Sequence, residues 1–212
     1  MAVTKNTKRL TQLSLIIAIE LIVGLVPYLG YIPVNPALNI TIMHIPVIIA
    51  AVVLGPKAGG EVGFVFGLTS LINATFLRPN PIESPIFSPF FKGGAFNGGW
   101  GSVVICFVPR ILVGVVAGYV FILLFKGKAN RKLSLLVSGV LGSLTNTILV
   151  LGGIYIFFRE PYAKANGMTV SAMLKIFMSV IGINGMLEAA VAAVLTLIIA
   201  DRLLSLKDQN KL

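Results

Sequence analysis

Long apolar runs dominate this sequence, and one of them, residues 102–125, is interrupted by a single charged side chain, Arg110. A helix that crosses a bilayer needs about 20 mostly apolar residues, and the run meets that requirement. Across the chain 57% of the residues are hydrophobic and only 11% are charged. This composition predicts an integral membrane protein and excludes an ordinary soluble globular domain.

The apolar runs predict an all-α membrane protein with six transmembrane helices in a single domain, residues 1–212. The predicted helices cover about 9–28, 39–54, 58–76, 102–125, 133–158 and 171–204, and a long outer loop covers about 77–101. The basic N-terminus resembles the start of a signal peptide. However, no A-x-A cleavage site follows Ile22, so the first run is expected to remain as a helix.

Lysine and arginine are distributed unequally between the two sides of these predicted spans. With both termini in the cytoplasm, eleven basic residues fall on the inner side, including Lys211, and five on the outer side. Because positive charge concentrates in cytoplasmic connections, this count predicts cytoplasmic N and C termini. The basic residues lie at segment ends rather than on one polar helix, a pattern typical of membrane topology and not of nucleic-acid binding.

Small residues recur at intervals of four, a spacing that allows helices to approach closely in a membrane. Gly55, Gly59, Gly63 and Gly67 are expected to share one face of the third helix and to pack inside the protein. Ser14 and Ala18 have the same spacing near the cytoplasmic end of the first helix. They are predicted either to pack internally or to contact a partner.

Ionisable groups at membrane depth are functional-site hypotheses by default. The set in this chain is Glu20, His44, Glu61, Arg110 and Glu188. Two interpretations of Arg110 stay open: a structural ion pair with Glu188, or binding of a ligand carboxylate, which suits the planar guanidinium. His44 is interpreted as structural, because neighbouring Pro46 releases a backbone carbonyl.

Amide side chains are predicted at a similar depth and near the outer end of the bundle. Asn146 and Asn184 lie on the fifth and sixth helices, and Asn73 near the outer end of the third. The outer loops are rich in proline and aromatic residues, and Trp100 ends the longest of them. This density indicates a packed cap over a cavity, although aromatic residues also anchor helices at the membrane interface.

Several function classes lack their motifs. The sequence contains no GxxxxGK[ST] loop for ATP hydrolysis, and its single cysteine and single histidine, Cys106 and His44, form no metal-binding or nucleophile pattern. We therefore expect no enzyme, no metal and no cofactor in this chain. The matched broken helices of a repeat-built secondary transporter are also not evident.

The motifs GPKAG, FVPRILVG, GSLTNTILVLGGIY and ING, with six short helices and a long aromatic outer loop, resemble a known family. Over about residues 8–204 the chain is similar to the S component, the substrate-binding subunit, of energy-coupling factor (ECF) vitamin transporters. Within that family it looks most like the pantothenate-type members. Folate, pyridoxine and hydroxymethylpyrimidine remain alternative substrates, because S components share one fold.

The resemblance implies a subunit of the bacterial plasma membrane that binds a vitamin from outside and topples against a transmembrane coupling protein, the T component. Two cytoplasmic ATPases, which hold ATP and Mg²⁺, would drive the cycle. By the resemblance, Ser14 and Ala18 contact the T component, and Trp100, Arg110, Asn146 and Asn184 belong to the pocket. A stand-alone secondary transporter and a small lipid-acting enzyme are the alternatives from other function classes.

Overall fold

A computed structural model describes residues 5–27, 29–35 and 38–209, with side chains for all of these except residues 5 and 31–40. Within this part of the chain the elements are α1 (Lys5–Leu25), β1 (Tyr31–Asn35), β2 (Leu38–Thr41), α2 (His44–Leu54), α3 (Pro56–Ile72), α4 (Ser84–Phe87), α5 (Trp100–Lys126), α6 (Arg131–Ala165), α7 (Val170–Val180) and α8 (Met186–Asp208). Two π-helical segments, Asn73–Leu77 and Ile181–Gly185, extend α3 and join α7 to α8.

The predicted helical membrane fold is confirmed. Four helical segments of the described chain are long and apolar enough to cross a bilayer: Pro56–Leu77, Trp100–Lys126, Arg131–Ala165 and Val170–Asp208. α2 is apolar but has only 11 residues. The six-span count and the position of the termini therefore stay predictions. Tyr28, where the first predicted helix ends, and Lys211, which was counted on the inner side, lie outside the described residues.

A short β-hairpin accompanies the helices and was not predicted from the sequence. β1 and β2 pair antiparallel, with Tyr31 opposite Thr41 and Ile32 opposite Ile40. The strand sequences YIPVN and LNIT are rich in β-branched and aromatic residues, which favour extended backbone. Residues 39–43 were predicted to begin the second helix, but that helix begins only at His44.

Helices α3 and α5 pack antiparallel with almost no side chain between them. A Cβ on Gly59 would lie 2.9 Å from the Cα of Gly114, and a Cβ on Gly63 would collide with the carbonyl group of Arg110. Gly118 comes equally close to Pro56. The predicted packing face is therefore present, and it fixes the height and direction of Arg110 relative to α3.

Gly55 does not belong to this face, contrary to the prediction from spacing. It separates α2 from α3, and a Cβ there would meet nothing within 4 Å. Its φ of 102° lies in a region that L side chains rarely adopt, so glycine is required for the turn and not for packing.

Helices α6 and α8 are also antiparallel. Near one end, Arg131 donates to Asp201 at 2.9 Å, to Asp208 at 2.7 Å and to Ser205 at 3.0 Å. Helices α5 and α6 are antiparallel as well, because Gly101 lies against Phe157 and Gly142 against Ala117. The hairpin, α4 and the start of α7 therefore all lie at the other end of the bundle. We call this the hairpin end.

α6 changes direction at the hairpin end. Phe158 has non-helical angles, φ −133° and ψ 15°, close to the predicted end of the fifth helix. The kink is explained by Pro161, whose ring clashes with the carbonyl four residues earlier in a straight helix. Beyond the kink, Tyr162 turns towards the interior and packs against Phe177, with ring centroids 5.8 Å apart.

Candidate functional site

A cavity of about 500 Å³ lies inside the bundle towards the hairpin end. Residues from β2, α3 with its π-helical extension, α4, α5, α6 and the α7–α8 segment line it. Its size falls within the range of pockets for small organic ligands. The wall contains apolar patches and a small number of charged and amide side chains, so it suits a ligand of mixed polarity.

Arg110 supplies a buried positive charge to the cavity wall. Its side chain is only 6% exposed, and its Nη1 donates a hydrogen bond to the Ile105 carbonyl at 2.7 Å. That carbonyl is accessible because Pro109, four residues later, lacks the N–H that would bond to it in a regular helix. The sequence Pro109–Arg110 thus positions the guanidinium through the helix defect that the proline creates.

Two aromatic rings flank the same guanidinium. The Cζ atom of Arg110 lies 5.2 Å from the ring centroid of Phe66 and 4.7 Å from that of Phe87. Each such cation–π contact stabilises a buried cation by about 1–2 kcal/mol. Phe66 comes from α3 and Phe87 from α4, so the long loop helps to cover the charged group, as its aromatic composition predicted.

Glu188 supplies a carboxylate on a different wall. It is 9% exposed, and its Oε1 accepts a hydrogen bond from the backbone N–H of Thr41 at 2.8 Å. Its Oε2 lies 3.5 Å from the hydroxyl of Thr147. Among the described residues no salt bridge joins Glu188 to Arg110, since both ion pairs found there belong to Arg131.

Asparagine side chains add hydrogen-bond acceptors to the cavity. Asn73 donates its Nδ2 to the Gly24 carbonyl at 2.7 Å, which fixes the amide orientation. The Oδ1 atoms of Asn73 and Asn146 are both buried and have no hydrogen-bond partner within the described structure. Asn184 lines the cavity from the π-helical turn before α8. Buried acceptors of this kind favour a ligand with N–H or O–H donors.

The structure brings five of the predicted site residues to one cavity: Arg110, Asn146, Asn184, Asn73 and Glu188. Trp100 does not lie there. It is the first residue of α5, its side chain is 86% exposed, and it is not among the cavity-lining residues.

The remaining singled-out residues lie elsewhere. Ser14 and Ala18 are exposed on α1. Glu20 and His44 are fully buried, Glu61 is half-buried, and none of the three lines the cavity. In the part of the chain that the structure describes, no group of three metal-ligating side chains is found.

Several cavity residues were not predicted from the sequence. Arg78 and Glu83 lie in the long loop region, where the sequence gives no depth, and Phe66 and Thr147 look like ordinary helix residues. The only usable signal was the i, i+3, i+4, i+7 spacing of Thr147, Val150, Leu151 and Ile154, which all line the cavity from one face of α6.

A helical membrane bundle with an internal cavity of mixed polarity defines a small-molecule-binding membrane protein. Residues 8–200 match the family of ECF transporter substrate-specific components, and the chain belongs to that family. Its members are substrate-binding components of transporters and not catalytic enzymes. The chain is therefore a multi-pass protein of the cell membrane.

Named relatives and one solved structure agree with this assignment. The chain is 30% identical over 201 residues to the pantothenic acid transporter PanT of Lactococcus lactis subsp. cremoris, covering 93% of this chain and 92% of that protein. It is 29% identical over 209 residues to the pantothenate transporter PanT of Leuconostoc mesenteroides, covering 96% of each. The crystal structure of the S component for biotin from an ECF-type ABC transporter matches 94% of this chain and 95% of its own, with a TM-score of 0.55 and 20% identity, a likeness of fold alone.

Proposed function

We propose that this chain is the high-affinity pantothenate-binding subunit of an ATP-driven ECF uptake transporter. The observation that carries the proposal is the combination, in one cavity, of the buried Arg110 guanidinium with hydrogen-bond acceptors on Asn73, Asn146 and Glu188. The two relatives named for transport of this vitamin support the same substrate.

Pantothenate has the matching chemistry. It carries a carboxylate at one end, an amide in the middle and two hydroxyl groups on a dimethyl-branched carbon chain at the other end. A guanidinium binds a carboxylate through parallel N–H donors, and the amide N–H and hydroxyl groups provide donors for the acceptors. Val150, Leu151 and Ile154 offer an apolar surface for the branched carbons.

The proposed topology has six membrane spans with both termini in the cytoplasm, so that the hairpin end faces outside. The eleven-to-five distribution of basic residues supports it. In this orientation the cavity lies in the outer half of the bundle, where a ligand from outside reaches it past the hairpin and α4.

The proposed cycle needs partners, because ATP hydrolysis has no motif in this chain. The T component would bind α1, and two cytoplasmic ATPases holding ATP and Mg²⁺ would drive toppling of the loaded subunit. Ser14 and Ala18 are exposed, and Leu15 is 63% exposed beside them. A groove of about 440 Å³ between α1, α2 and α8 adjoins this face and is lined almost entirely by apolar side chains.

The direct test is equilibrium binding of labelled pantothenate to the purified protein in detergent or nanodiscs. We expect a Kd of about 1 µM or lower, equivalent to about 8 kcal/mol of binding free energy. Biotin, folate, pyridoxine and hydroxymethylpyrimidine serve as competitors in excess. If the protein bound one of these compounds tightly instead of pantothenate, the proposed substrate would be wrong, but the S-component assignment would stand.

Failure of all five compounds to bind would contradict the proposed function. Uptake into proteoliposomes by this chain alone, driven by a proton or sodium gradient, would favour the secondary-transporter alternative. Co-purification with a T component and two ATPases is the result expected of an S component.

Replacing Ala18 with leucine should lower uptake in cells that contain the partners by about tenfold, the factor given by about 1.4 kcal/mol of overpacking at a close helix contact. Pantothenate binding to the purified variant should be unchanged, because Ala18 is not among the residues that line the cavity. Uptake and binding are measured on the same preparations.

The matched control is Ala190→Leu, the same change at an exposed alanine of α8. It should affect neither uptake nor binding. Normal uptake by the Ala18→Leu variant would show that this face of α1 does not contact the partner.

A further inference from the structure

We infer that Glu188 selects the ligand by accepting hydrogen bonds from its hydroxyl groups, so that the ligand lies with its carboxylate at Arg110 and its hydroxylated end at Glu188. This inference rests on the proposed function and deepens it. It assigns a separate recognition task to each of the two buried charges of the cavity.

The two charges belong to separate walls. Arg110 contacts α3, α4 and its own helix, through Phe66, Phe87 and Ile105. The contacts of Glu188 are with β2 and α6, through Thr41 and Thr147. Because these contacts lie on different elements around the cavity, a ligand that touches both side chains extends across it.

The relative heights of the helices give the direction of that ligand. Two glycine contacts on α6 set these heights: Gly153 lies against Ile105 of α5, and Gly139 against Ala193 of α8. Counting along the antiparallel helices, the Cα of Glu188 lies deeper than that of Arg110 by about one helical turn, roughly 5 Å. The carboxylate of the ligand therefore lies nearer the hairpin end, and its hydroxyl groups lie deeper.

The chemistry of Glu188 favours hydroxyl groups as its ligand partners. An ionised carboxylate offers about four acceptor positions, and the described contacts with Thr41 and Thr147 use two of them, one at only 3.5 Å. A second carboxylate on the ligand would be repelled there. The acceptor Oδ1 of Asn146, next to Thr147 in the chain, demands a donor as well. This wall of the cavity thus presents acceptors to the ligand.

A positioning role is the competing explanation, because Glu188 also holds the end of the hairpin through the Thr41 N–H. If Glu188 only positioned the hairpin, replacing it would weaken the binding of every ligand by a similar factor. A hydroxyl-binding role instead couples the identity of residue 188 to the presence of the hydroxyl groups. A thermodynamic cycle that combines ligand changes with a change at residue 188 distinguishes the positioning role from the hydroxyl-binding role.

The experiment measures binding of three compounds to the wild-type protein and to Glu188→Gln, which keeps an acceptor for Thr41. The compounds are pantothenate, N-(3,3-dimethylbutanoyl)-β-alanine, which lacks both hydroxyl groups and is called the dideoxy compound below, and pantothenol, in which the carboxylate is replaced by an alcohol.

The wild type should bind the dideoxy compound about 100-fold more weakly than pantothenate, because Glu188 then stays desolvated without its donors. In Glu188→Gln this ratio should fall about tenfold, since the hydrogen bonds it loses are those to a charged acceptor. The ratio for pantothenol should be unchanged.

Two results would overturn the inference. One is a dideoxy compound that binds the wild type as tightly as pantothenate, a result that does not depend on any variant folding. The other is an unchanged dideoxy ratio in a folded Glu188→Gln protein. In both cases pantothenate binding by the wild type would leave the proposed function standing, whereas absence of that binding would reject the function and the inference together.

Discussion

Replacing Arg110 with glutamine is expected to weaken pantothenate binding by about 100-fold or more. The change removes a buried charge that would form paired hydrogen bonds with the ligand carboxylate, and bonds to charged groups contribute about 1.5–3 kcal/mol each. Glutamine retains a donor at this position. Titration of labelled pantothenate measures the loss, and a thermal unfolding curve checks that the variant is folded.

Arg78→Gln is the matched control, since Arg78 is the other arginine on the cavity wall within the described residues. Its guanidinium donates to the Leu25 carbonyl at 3.3 Å, and its side chain is half-buried in the loop region. We expect a loss of less than about tenfold, typical of a partly exposed charge. A larger loss at Arg78 than at Arg110 would identify Arg78 as the carboxylate's partner.

Replacing Gly63 with alanine is expected to destabilise the protein by about 3 kcal/mol, enough to reduce the yield of folded protein sharply. The added Cβ would collide with the Arg110 carbonyl oxygen and lie 2.9 Å from the Cα of Ile111. Both are backbone atoms, so no side chain can rotate away and the two helices must separate. The yield of monodisperse protein and its unfolding temperature measure the effect.

Gly60→Ala makes the same change next to Gly59 but off the face on which α3 packs against α5. A Cβ there would meet only Val115 at 3.5 Å and Ile111 at 3.7 Å, which are ordinary contact distances. This variant should be as stable as the wild type or more stable by up to about 1 kcal/mol, because alanine favours helix over glycine. Equal stability of the two variants would mean that α3 and α5 are less closely packed than described.

The sequence predicted the part of the site that depends on depth. Counting residues along apolar helices placed Asn146, Asn184 and Glu188 below Arg110 in the outer part of the bundle, and all four line the cavity. Depth alone does not give the rotational position of a helix end. For that reason the exposed direction of Trp100, at the first turn of α5, was missed.

Local propensity predicted the helices better than the connections. Residues 39–43 were added to the second helix, although pairing with β1 keeps residues 38–41 extended. The π-helical turn at 181–185 also follows from no sequence pattern, because the ING motif suits an ordinary α-helix equally well. Tertiary contacts decide both features, and a single sequence does not reveal them.

The bond between Arg110 and the Ile105 carbonyl has a consequence for anyone who redesigns this pocket for another vitamin. A new side chain at position 110 that cannot reach the carbonyl leaves a helix acceptor unsatisfied in the protein interior, at a cost of about 1–3 kcal/mol. The substitution and its neighbour must therefore be changed together: a non-donating residue at 110 calls for a residue with a backbone N–H in place of Pro109. Specificity and helix integrity are encoded here in one dipeptide, and engineering libraries should vary the two positions as a pair.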